Sequence, residues 1–115
     1  MAFDIVVFDD DFRFQRELHL DESVHGLLFR KLVTPGDYPS LGRAADTKED
    51  ISFDAKELPA LLADVTRLES HLASDKLMSP EIKKKCVGFV SKLREMCELA
   101  LSEGRSVDFV AGDEA

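Results

Sequence analysis

The chain has 115 residues, 44% of them hydrophobic and 33% charged, with 6 Gly and 4 Pro. Those values describe one modest globular core and exclude disordered, fibrous and membrane-spanning classes. Lys and Arg number 15 against 23 Asp and Glu, a formal net charge of -8, which repels phosphate backbones. Neither nucleic acid nor a membrane is therefore an expected partner.

In chain order, Phe3-Asp4-Ile5-Val6-Val7-Phe8 is β-branched and aromatic and stops at Asp9, Asp10 and Asp11, which predicts a strand and then a turn. Phe12, Phe14, Leu18 and Leu20 alternate with polar residues, a period of two broken only by Arg16. Residues 12–20 are thus predicted to run as a second strand, closing a β-hairpin over an acidic connection.

Asp21 can cap a helix whose Val24, Leu27, Leu28 and Leu32 share a face, ended by Thr34-Pro35-Gly36. Residues 34–50 form the longest irregular stretch, which reads either as a candidate binding surface, since long loops in compact domains often carry binding, or equally as a plain connector with one helical turn near residues 40–45. Ile51-Ser52-Phe53 predicts a short third strand. Leu58, Leu61, Leu62, Val65, Leu68 and Leu72 repeat at helical spacing, and Pro59 sets the start of that helix within two residues of Lys56. Ser79-Pro80-Glu81 opens another helix with a capping hydroxyl and a proline at its first position. Ile82, Cys86, Phe89, Val90, Leu93, Cys97 and Ala100 lie on one face of it, and Gly104 supplies its stop. Val107-Asp108-Phe109-Val110 closes the chain as a fourth strand.

The predicted order is β-β-α-β-α-α-β: a single α+β domain over residues 1–115, with the helices on one face of a small, mainly antiparallel sheet. Either short strand, 51–53 or 107–110, could lie at a sheet edge and pair across a dimer. The amino terminus shows no basic leader, so a cytoplasmic protein is expected. Cys86 and Cys97 are too few for a disulfide framework. Eleven positions on one helix separate them by roughly 16 Å, so both read as small core residues.

Three aspartates after a hydrophobic strand read first as a solvated acidic turn; the alternative is magnesium or phosphate chemistry, because a hard cation takes several carboxylate oxygens. Ile5-Val6-Val7-Phe8-Asp9-Asp10-Asp11 resembles the first strand and acidic pair of a response-regulator receiver domain, and Asp54 falls near that family's phospho-accepting aspartate. The resemblance implies a helix directly after the acidic pair, where residues 12–20 read as a strand. It also implies a later Lys-Pro pair, which this sequence lacks. The same aspartates resemble the acidic start of haloacid-dehalogenase-like phosphatases, although Arg13 stands where that family has Thr or Val.

His19 and His25 flank Asp21 and Glu22, but their predicted placement on an outward strand face and past a helix cap gives no metal geometry. His71 reads as a boundary residue. No Gly-x-Ser-x-Gly elbow, glycine-rich phosphate loop or activated cysteine occurs, so neither an enzyme nor a cofactor is expected. Lys83-Lys84-Lys85 reads as a solvated basic face that could meet an acidic partner.

The first 22 residues carry seven acids against two arginines, a net charge of -5. A dense acidic patch speeds association with a basic partner. In size, acidity, lack of catalytic motifs and cytoplasmic character the chain resembles the small α+β immunity proteins that bacteria pair with secreted toxins, a likeness of format rather than of motif. That resemblance implies a protein partner of basic charge. The expected contacts are Asp9, Asp10 and Asp11 in the hairpin turn, with Tyr38 as aromatic anchor and Arg43 in the 34–50 loop.

Overall fold

The computed structural model describes residues 3–8, 14–19, 28, 33, 36–46, 51–76 and 78–111. The elements among them are β1 (Phe3–Phe8), β2 (Phe14–His19), α1 (Leu41–Asp46), β3 (Ile51–Phe53), α2 (Leu58–Ser74), α3 (Pro80–Glu103) and β4 (Val107–Ala111). The protein is α+β. Of the helix expected after Asp21 only Leu28 and Val33 are described, both buried, with the Leu28 carbonyl accepting the Val33 N–H at 2.7 Å; the turn expected at Asp9, Asp10 and Asp11 lies outside the described residues, and α1 is the helical element described in full between β2 and β3. It covers nearly the same residues as the helical turn that the connector reading placed near residues 40–45.

The four strands form one sheet in the order β2-β1-β4-β3, and all three pairings are antiparallel. Residues 14–19 are extended beside β1, as the alternation requires, with Ile5 opposite Leu18 and Val6 opposite Glu17. A register shift between Val7 and Phe8 places Phe8 opposite Phe14, a bulge that ends the regular pairing at the hairpin end of β1. Because β4 lies between β1 and β3, its backbone is paired on both sides. It cannot be the dimerising edge that its short length suggested, whereas β3 does lie at an edge.

Register explains the core. Leu18, Ile5, Phe109 and Ile51 are successive Cα partners across all four strands, and residues directly opposite one another share a face. Ile5, Val7, Phe53, Val107 and Phe109 are buried in the same cluster as the apolar stripes of α2 and α3. Full burial of such side chains contributes about 1.5–3 kcal/mol each. The rings of Phe53 and Phe109 meet edge to face at 5.5 Å. Val6, on the opposite parity, is also buried at 1% exposure but stands outside that cluster.

The helix boundaries follow from their caps. Ser79 accepts the Ile82 N–H at 3.5 Å, Pro80 needs no N–H partner in the first turn, and Gly104 ends α3 at φ 68°, a conformation that costs any residue with a Cβ. At α2, Asp54 Oδ1 accepts the N–H groups of Lys56 and Glu57 at 2.9 and 3.0 Å and sets a turn that leads into the helix at Leu58. Five residues join α2 to α3, so the helices run antiparallel. Glu69 bridges them, accepting from Ser91 Oγ and from Arg94 Nε.

Candidate functional site

A carboxylate interrupts the apolar stripe of α2. Asp64 lies one turn after Leu61 and one before Leu68, and it is 5% exposed, the one buried charged residue among those described. A buried carboxylate is tolerated only when its oxygens are paired. Asp64 Oδ2 accepts the backbone N–H groups of Ser40 and Leu41 at 2.8 and 3.0 Å. Asp64 Oδ1 accepts from Arg67 Nη2 at 3.0 Å.

Ser40 and Leu41 open α1, whose first N–H groups have no partner within the helix. A side chain 23 residues further along the chain therefore does the work of an N-cap. Arg67 Nη2 also donates to the Asp37 carbonyl at 2.6 Å, and its guanidinium lies 5.1 Å from the centre of the Tyr38 ring, within cation–π range. Asp64 and Arg67 together hold residues 37–41 against the start of α2.

The other end of the segment is tied by Arg43, which pairs with Glu57 and lies 5.0 Å from the Phe53 ring centre. Residues 36–46 are thus pinned to α2 by Arg67 and to the β3–α2 turn by Arg43. Their outward face carries Gly36, Asp37, Pro39 and Arg43, all exposed.

Tyr38 and Arg43 fall within this one segment. Tyr38 is at the edge of the core, its ring largely covered, and burial above all pushes its phenol pKa up, with Arg67 opposing and Asp37 and Asp64 adding to the rise. Asp9, Asp10 and Asp11 lie outside the described residues. Sequence reasoning missed Asp64 and Arg67, although a carboxylate at a core-phase position of an amphipathic helix was the available signal.

Other chemistry has less to build on. Residues 14–19 form a strand where the receiver resemblance implies a helix, and Asp54 Oδ1 is committed to two backbone donors. Among the described residues no group of three His, Cys, Asp or Glu could hold a metal ion. Cys86 and Cys97 are free and buried. Burial raises both thiol pKa values, that of Cys97 to about 12. Among the described residues no helix is long and apolar enough to cross a membrane. Compared with protein-family models, curated proteins and solved structures, the chain gives no match.

Proposed function

We propose that the chain is a non-catalytic interaction module of the bacterial immunity type, which works in the cytoplasm by binding a basic protein partner. The surface assigned to this role is the 36–46 segment with Arg43 and the Tyr38 edge; Asp9, Asp10 and Asp11, outside the described residues, are proposed as further contacts on the strength of their charge alone. The observation that carries the reading is the pair of Asp64 hydrogen bonds to Ser40 and Leu41. An irregular segment fixed on a helical scaffold loses less freedom on binding than a loose loop does. A net charge of -8 supplies the attraction that speeds encounter with a cationic surface. Two free, buried cysteines fit a reducing compartment.

Affinity capture from the source organism's lysate at low salt, followed by hydrogen-exchange footprinting of the complex, tests this reading. The expected result is one stoichiometric basic protein, released by added salt, with new protection over residues 36–46. Failure to recover such a protein would contradict it. A magnesium titration followed by NMR addresses the receiver-like alternative, which requires selective shifts at Asp9, Asp10, Asp11 and Asp54.

A further inference from the structure

Tyr38 is 9% exposed, so its ring belongs to the core. Its hydroxyl is not among the buried polar atoms that lack a partner, and it makes no hydrogen bond with the described residues. The oxygen therefore sits at the protein surface, at the end of a ring that packing holds still. A tyrosine placed in this way offers a rigid apolar body and one free polar tip.

Arg67 leaves donors unused beside it. Nη2 is committed to Asp64 Oδ1 and to the Asp37 carbonyl, whereas Nη1 and Nε have no acceptor among the described residues, in a side chain that is 58% exposed. The guanidinium lies 5.1 Å from the Tyr38 ring centre. Its free donors and the hydroxyl can thus meet neighbouring groups of one extended ligand, whose residues advance about 3.3 Å each. Asp64 fixes the guanidinium and the core fixes the ring, so little freedom is lost when a ligand arrives.

Local charge selects the ligand. Asp64 already neutralises Arg67 at 3.0 Å, and Asp37 brings a second carboxylate close enough to act on the Tyr38 phenol. An anion would face two carboxylates against one cation, and a cation would face the guanidinium. A neutral oxygen acceptor meets neither repulsion.

We propose that the Tyr38 hydroxyl and the unused donors of Arg67 form a binding point for main-chain carbonyl oxygens of an extended, uncharged stretch of the partner protein. This point rests on the reading of the 36–46 segment as a docking surface and specifies its chemistry: the acidity of the chain speeds encounter, and neutral hydrogen bonds hold the bound segment whatever the salt concentration.

The test is an NMR titration of the full chain with a pentapeptide of glycine and serine, acetylated and amidated at its ends. Weak, saturable shifts are expected at the amides of residues 37–41 and at the Arg67 Nε–H, with an affinity that added salt does not change and no response of those signals to acetate. Tyr38 is the one tyrosine and the chain has no tryptophan, so phenol fluorescence should follow the same curve. Tyr38→Phe removes the hydroxyl alone and should weaken binding roughly fivefold, the effect of one neutral hydrogen bond. Because that hydroxyl has no partner within the described fold, the variant should keep the wild-type protection of the Ser40 and Leu41 amides. Absence of shifts at these positions, equal affinity of Tyr38→Phe, faster exchange of those two amides in the variant, or tighter binding of acetate would overturn the proposal. The two readings fail separately: a captured basic partner that binds Tyr38→Phe as tightly as wild type removes this contact and leaves the docking surface, whereas peptide binding with no basic partner recovered removes the partner's charge class and leaves the contact.

Discussion

Arg67 stands one turn after Asp64 on α2, and its Nη2 reaches both the Asp64 carboxylate, at 3.0 Å, and the Asp37 carbonyl, at 2.6 Å. One guanidinium thus neutralises the buried acid and holds the chain segment that the acid caps. Removing the acid leaves two backbone N–H groups and the guanidinium without their acceptor. Asp64→Ala is expected to destabilise the protein by about 2–4 kcal/mol, and Asp64→Asn, which keeps one oxygen acceptor, by less. Arg67→Ala removes the partner of Asp64 Oδ1 while Oδ2 keeps its two backbone donors, and should cost less, about 1 kcal/mol. Urea unfolding of the three variants checks the ranking.

Two glycines on and after α3 should respond with opposite signs. A Cβ built at Gly104 or at Gly88 meets nothing within 4 Å, so sterics with neighbours decide neither case. Gly104 sits at φ 68°, and Gly104→Ala should cost about 1 kcal/mol of backbone strain. Gly88 lies in the helix interior, and Gly88→Ala should stabilise by about 0.5–1 kcal/mol. Thermal melts of the two single variants test this; a shift of the same sign in both would contradict the left-handed cap.

Much of this architecture was legible because the signals are local. The alternation of Phe14 to Leu18 fixed a strand, the Leu58 to Leu72 stripe fixed α2, and Ser79-Pro80 with Gly104 fixed both ends of α3. What escaped depends on long-range geometry. Asp64 caps a helix 23 residues away, and no local pattern announces such a partner. Ile82 has core phase but overhangs the core, a matter of where the neighbouring elements end. β4 reads as a plausible edge until its pairing with both β1 and β3 is seen. Within the candidate site, Tyr38 and Arg43 were legible as residues of a long loop, whereas the clamp that orders the loop was not.

Stability should fall in acid partly through Glu69. The Ser91 hydrogen bond is the largest influence lowering its pKa below 4.5; burial opposes it, and Arg94 adds to the lowering. A carboxylate whose folded pKa is depressed contributes stability that is fully present above the unfolded value and is lost as pH falls through the folded one. Glu69→Gln should therefore cost about 1 kcal/mol at neutral pH and progressively less below about pH 4.5. Unfolding free energies of wild type and variant across that window, measured in urea, should converge; a constant difference would remove Glu69 from the acid response.

The cysteines act on the alkaline side. Cys97 holds its proton to about 12 against an ordinary 9.0, chiefly through burial, with Glu98 adding to the rise, whereas the unfolded thiol ionises near the ordinary value. A raised folded pKa gives stability that is intact below about pH 9 and is lost as pH rises beyond it. Cys97→Ala should flatten that loss while creating a small cavity. In the native protein neither thiol should react with Ellman's reagent at neutral pH, and both should react in denaturant. Rapid native labelling would contradict their burial.

Amide hydrogen exchange at Ser40 and Leu41 tests most directly whether a side chain of α2 holds the candidate binding segment in place. In the wild-type chain both amides should be protected, and Asp64→Ala should release them while the amides of α3 stay slow. Fast exchange at both positions in the wild type, or protection that survives Asp64→Ala, would contradict the clamp and with it the preformed surface.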